Sequence, residues 1–116
     1  MLASALKVRF EDLRELDFGS ITSSFVGVGS SFANPVRMLK VTNTTDQDMY
    51  ISFNGVDTKD MVAARSAWIY DYGSNKITPS GILEQSAGER VYVKQIGVTA
   101  PTLGAIYVTV IYASTH

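Results

Sequence analysis

The sequence predicts an all-β fold: a single-domain antiparallel β-sandwich, jelly-roll-like, with seven or eight short strands. Three observations carry this. The segment Gly104–Ala113 is almost wholly apolar, β-branched and aromatic, which suits a packed, pleated surface. Turn signals recur roughly every 8–12 residues, the spacing of a sandwich or jelly roll. No stretch sustains a helical hydrophobic period, and there is no internal repeat.

The elements follow in chain order. From Ala5 to Phe10, Leu6, Val8 and Phe10 alternate with Lys7 and Arg9, which predicts a half-buried strand. Glu11–Leu16 reads either as a helical turn, with Phe10, Leu13 and Leu16 on one side, or as a polar connection; a short turn or irregular arm is favoured. Ser20–Val28 is a second strand, followed by the small-residue loop Gly27–Phe32 and the break Asn34-Pro35. Val36–Thr42 and Met49–Phe53 are strands joined by the polar turn Asn43–Asp48. Asn54-Gly55 is the strongest two-residue turn signal, because both residues tolerate positive φ. The stretch after it is so short that the turn is expected to bend the chain without a long hairpin. Met61–Ala64 is a brief strand or turn, and Ala67–Tyr72 a strand with Trp68, Tyr70 and Tyr72 in one row. Ser80-Gly81 and Ala87-Gly88 bracket a short segment around Ile82-Leu83. Glu89–Ile96 and Leu103–Ala113 close the chain. This divides it into an N-terminal strand or arm, 1–18, and a sandwich domain, 19–116. The closing strand is apolar on both faces, so both need cover, one by the core and one by a second layer or another chain.

Composition bounds the function. With 116 residues the chain is one domain, large enough to bury roughly 65% of its unfolded surface. Ten Lys and Arg balance eleven Asp and Glu, unlike the basic footprint of a nucleic-acid binder. Charged residues at 18% fall below the usual share of about 25%, so some apolar surface is expected to meet a partner. There is no cysteine, which points to an intracellular setting or to stabilisation by core and partners. No signal peptide and no membrane span of about 20 apolar residues is visible. Asn43-Thr44-Thr45 matches a glycosylation sequon but reads as turn residues.

The chemistry-bearing residues are sparse. The only histidine is His116, at the end of the chain, so neither a Ser-His-Asp triad nor a histidine metal site is expected. Asp46, Asp48, Asp57 and Asp60 offer oxygen ligands for calcium, but their spacing fits no EF-hand and Asp is an ordinary turn residue. Asp71 with Glu84 or Glu89 could in principle supply a glycosidase pair, but nothing in the spacing selects any pair. Gly27-Val28-Gly29-Ser30-Ser31-Phe32 lacks the Lys of a P-loop and the spacing of a dinucleotide fingerprint. Trp68, Tyr70 and Tyr72, with Tyr92, Tyr107 and Tyr112, can stack sugars or bases; such rows more often fill a sandwich core or an interface. No catalytic residue, metal or cofactor is expected.

Three stretches, taken together, carry a resemblance: Tyr50-Ile51-Ser52-Phe53-Asn54-Gly55, then Trp68-Ile69-Tyr70-Asp71-Tyr72 with Ser74-Asn75, then Gly88-Glu89-Arg90-Val91-Tyr92-Val93-Lys94-Gln95, all ahead of the closing strand. In this order they resemble small β-sandwich structural proteins of tailed-bacteriophage virions, above all capsid decoration or cement proteins. The likeness covers residues 36–113 and rests on pattern rather than on a diagnostic motif. It implies a non-enzymatic protein on the capsid exterior, assembled in the host cytoplasm, that clamps the major capsid protein shell as a dimer or trimer without touching nucleic acid or membrane. Within that reading, Leu2, Leu6, Phe10 and Leu13 of the arm and Phe25, Val28 and Phe32 around the glycine loop are the candidate protein-interface residues. The rival readings are a neck, tail or fibre-attachment component and, from another class, a carbohydrate-binding module using Trp68, Tyr70 and Tyr72.

Overall fold

The computed structural model describes residues 7–72 and 84–114. Nine strands run through them: β1 (Lys7–Phe10), β2 (Arg14–Asp17), β3 (Val26–Gly27), β4 (Met38–Asn43), β5 (Met49–Ser52), β6 (Asp60–Val62), β7 (Ser66–Asp71), β8 (Tyr92–Gln95) and β9 (Ala105–Ser114). They form two antiparallel sheets. In the first, β1 and β2 lie end to end along one side of β9, with β4 and then β7 on the other. The second runs β3-β8-β5-β6. Among the described strands, β5 and β6 are the consecutive pair that hydrogen-bond to each other. Elsewhere the chain crosses between sheets or between positions, the weave of a jelly-roll-like sandwich.

The core is the product of strand alternation. In β9, Ile106, Val108 and Val110 point inward and are fully buried, while Tyr107, Thr109 and Ile111 point out and stay part-exposed. Register carries this parity across the sheet. Leu39 and Val41 of β4 stand opposite Val110 and Val108 and are equally buried. From the second sheet Met49, Ile51, Val62, Val91 and Val93 close over them. The two-sided cover expected for the last strand is therefore supplied on one face only, by the opposite sheet.

Several elements differ from expectation. Residues 14–17 are a strand, not a helical turn, because they dock on the first half of β9. Of the predicted strand Ser20–Val28, only Val26–Gly27 pairs. Its first part is turned locally by the Thr22 hydroxyl, which bonds the N–H and C=O of Ser24. After Asn54-Gly55 no long hairpin forms: the loop runs to Lys59 before the three-residue β6 returns along β5. There the Asn54 carboxamide oxygen accepts from the N–H groups of Val56 and Asp57 at 2.8 and 2.9 Å. The segment around Ile82-Leu83 lies outside the described residues.

The turn leaving β4 is held by a buried amide. Asn43 Nδ2 donates to the carbonyls of Gln47 and Val62 at 2.8 and 3.3 Å, and Oδ1 accepts from Thr45 N at 2.9 Å. The sequon asparagine is thus a structural turn residue with a buried side chain. Gly104 packs against the same turn at φ +84°, where an added Cβ would sit 2.3 Å from the Thr44 carbonyl oxygen. Asn43→Ala removes the buried Nδ2 donor to the Gln47 and Val62 carbonyls and the Oδ1 acceptor of Thr45 N, and Gly104→Ala forces both a clash and a left-handed φ. Each is expected to lower stability by about 2–3 kcal/mol, read as a lower urea midpoint at unchanged slope.

Candidate protein-binding face

The outer surface of the first sheet carries the most exposed apolar residues that share a face. Phe10 stands opposite Ile111, which stands opposite Met38; Val8 stands opposite Ala113. Val8 is 69% exposed, Phe10 64% and, beyond them, Leu13 61%. Val8, Met38, Ile111 and Ala113 share a shallow depression with Arg37, Asp71 and Tyr112. A contiguous exposed apolar patch of this kind marks an interaction surface more often than scattered apolar residues do.

A β-bulge puts this stripe outside. Phe10 pairs with Ile111 and Arg14 with Val108, so four steps along the N-terminal segment match three along β9. The extra residue inverts the alternation. Arg14 and Leu16 point inward with Val108 and Ile106, whereas Val8 and Phe10 point outward with Ala113 and Ile111. Had β1 kept the register of β2, Val8 and Phe10 would face inward.

The bulge is locked by a buried ion pair that sequence reading missed. Arg14 donates to Glu11 Oε1 at 2.7 Å and to the carbonyls of Ser30, Ser31 and Asp12 at 2.8, 3.0 and 3.1 Å, and its guanidinium lies 5.6 Å from the centre of the Phe32 ring. The Glu11 carboxylate also accepts from Ala33 N at 3.1 Å and from Asn34 N and Nδ2 at 2.9 and 2.8 Å. The pair joins the N-terminal segment to the Gly29–Asn34 loop. Gly29, at φ +66°, leaves room for it, since a Cβ there would fall 2.5 Å from Arg14 Cγ. Burial by itself would push the Glu11 carboxyl up. The hydrogen bonds from Asn34, Arg14 and Ala33, with the Arg14 charge, outweigh it and hold the group below its ordinary value of 4.5. The one cue in the sequence is a Glu and an Arg three residues apart, in a stretch read as a short turn or irregular arm.

Of the candidate interface residues, Phe10 and Leu13 are exposed on this side of the molecule. Leu2 and Leu6 lie outside the described residues. Phe25 is half-buried, with the Lys94 ammonium 4.6 Å from its ring centre. Val28 and Phe32 require correction. Both are core residues, fixed by backbone bonds from Val28 N to Val91 O and from Phe32 N to Glu89 O, and they present no surface to a partner. Val8 and Ile69, both exposed, were missed.

The chain matches no family model, no curated protein and no solved structure.

The other candidates separate in space or are already engaged. Asp46 accepts from Thr102 N, Asp48 from Ala64 N, Asp57 from Asn54 Nδ2 and Asp60 from the Tyr70 hydroxyl. Among the described residues, no three His, Cys, Asp or Glu side chains gather as a metal site, and no helix is long and apolar enough to cross a membrane. His116 lies outside the described residues. In the aromatic row, Tyr70 and Tyr72 stack on each other at 6.2 Å and 13°, and Tyr70 meets Phe53 edge-on. Their hydroxyls donate to Asp60 and Gln85. Burial and the Asp60 contact push the Tyr70 phenol far above its ordinary range. Trp68 alone of the three is more than half exposed, so the row is not an open platform for a sugar.

The Glu11 pair makes stability acid-sensitive. A carboxyl whose folded pKa is depressed contributes stability that is present above its unfolded value and is lost as pH falls through the folded one. Stability is therefore expected to fall below about pH 4.5, and Glu11→Gln should flatten that part of the curve. At pH 7, Arg14→Ala leaves the Glu11 charge uncompensated and should cost about 3–5 kcal/mol. Urea titrations across pH check both.

Proposed function

We propose that the protein is a non-enzymatic virion structural protein: a capsid decoration or cement protein that binds the major capsid protein shell from outside and stabilises it. The observation that carries the binding role is the apolar stripe of Val8, Phe10, Met38 and Ile111 on the outer face of the first sheet. The virion setting rests on the sequence resemblance of residues 36–113. A shell-binding protein needs a rigid scaffold, an apolar contact patch and few charges at its centre. Here the sandwich is the scaffold and the locked bulge supplies the patch. Many modest contacts repeated by shell symmetry then give a firm hold, since linked sites gain avidity without new chemistry. On this reading the aromatic row beside β6 is structural, and the carboxylates are turn and pairing groups.

Incubated with capsids, the protein is expected to co-sediment with them and to raise their disruption temperature. Phe10→Asp should weaken binding at least about tenfold, the effect of losing one apolar anchor, with the melting temperature of the free protein unchanged. Val98→Asp, on the β8–β9 connection, should bind like the parent. Failure of the parent protein to co-sediment, or to shift the disruption temperature, would refute the shell-binding reading.

A further inference from the structure

One sheet edge is built unlike the others. The outer strands of the second sheet, β3 and β6, are only two and three residues long. On the first sheet, β1 carries Lys7 and Arg9 and is cut off from β2 by the bulge. Short length, charge and bulges are the usual means of keeping a sheet edge from pairing with another chain. β7 lacks them. It runs six residues, and its centre Ala67-Trp68-Ile69-Tyr70 holds no proline, glycine or charge.

Among the described residues β7 pairs on one side only, with β4. Tyr72 N donates to Arg37 O in line with the β4–β7 register. Antiparallel alternation then turns the backbone groups of Tyr70, Trp68 and Ser66 toward β4 and those of Ala67 and Ile69 toward the open edge. The strand is apolar on both faces: Trp68, toward the second sheet, is 52% exposed, and Ile69, on the outer face, 56%. A partner laid on either face would cover one of these side chains. A strand added in the plane of the sheet covers both and also satisfies the edge N–H and C=O groups.

We propose that β7 pairs antiparallel with β7 of a second copy of this chain, about a two-fold axis through Trp68. This register is self-complementary, as a two-fold contact must be. Ala67 bonds the second copy's Ile69 and Ile69 the second copy's Ala67, while the two Trp68 side chains meet at the centre. Arg65, at φ +55°, ends the strand before Ser66, so the ladder is confined to the residues of β7 itself. Six residues span about 20 Å, a contact at the small end of the range for specific interfaces, so the dimer is reversible. The contact is separate from the Val8–Phe10 stripe.

Sedimentation velocity over a wide concentration range tests this. The mass is expected to move from 12.6 kDa toward twice that value. The emission of Trp68, the single tryptophan, should shift to the blue over the same range, and exchange of the Ala67 and Ile69 amides should slow. Ile69→Pro removes an edge N–H that β4 does not use and should raise the dimer dissociation constant at least tenfold. Ile69→Lys keeps that N–H and should do the same, so the test stands even if the proline variant fails to fold. Phe10→Asp should leave the dimer intact even where it abolishes shell binding. A mass of 12.6 kDa at every concentration overturns the proposal. So does a dimer that persists in folded Ile69→Lys.

Discussion

Strand β9 is the constraint on which the rest of the structure depends. It is ten residues long and pairs with β1, β2 and β4. Its alternation assigns a side to each residue that pairs with it. Ile106, Val108 and Val110 define the inside, and β4 inherits that choice through Leu39 and Val41. β7 inherits it in turn, with Tyr70 and Trp68 on the inner side and Ile69 outside. A slip of one residue anywhere in this ladder would exchange core and surface across the whole sheet. Two polar devices guard the register. The Asn43 amide ties the end of β4 to β6 through the Val62 carbonyl. The Glu11–Arg14 pair ties the β1–β2 break to the loop that follows β3.

The fold class was legible because its signals are local. Alternation in Met49–Phe53 and Ala67–Tyr72, the β-branched run of β9 and the turn residues between them are visible in a window of ten residues. What stayed hidden depends on residues distant in sequence. Arg14 looks like a solvated charge until Ser30, Ser31 and Glu11 converge on it. Val28, at the end of a predicted strand, and Phe32 sit among glycines and serines and read as interface residues, yet the core claims both. The strand Arg14–Asp17 has an unremarkable sequence, and β9 makes it a strand by offering an edge. The face shows the same division. The stripe Leu6, Val8, Phe10 was evident as a stripe. Its direction was not, since a bulge leaves no mark on hydrophobic periodicity.

Buried polar groups do the positioning in this molecule, and their satisfaction decides whether they help or harm. Asn43 and Arg14 make several bonds each, so neither leaves a large unmet demand inside. A fully satisfied network rigidifies its surroundings, whereas a half-satisfied one destabilises them. The glycines belong to the same design. Gly29 and Gly104 leave the volume that the Arg14 stem and the Thr44 carbonyl occupy. The rigidity that results lies beneath the outer face, where a binding surface gains most from being pre-organised.

The bulge therefore has an energetic meaning beyond local geometry. In the register of β2, Val8 and Phe10 would point toward the interior, and burying each would stabilise the fold by about 1.5–3 kcal/mol. The chain instead turns both outward and places the buried Glu11–Arg14 pair where the register breaks. Buried ion pairs contribute little net stability compared with apolar residues of similar size. The free protein thus gives up apolar burial on one side and recovers little from the charges. The stripe is left as exposed apolar surface. Under the proposed shell binding, a contact over Val8 and Phe10 is where that burial would be recovered.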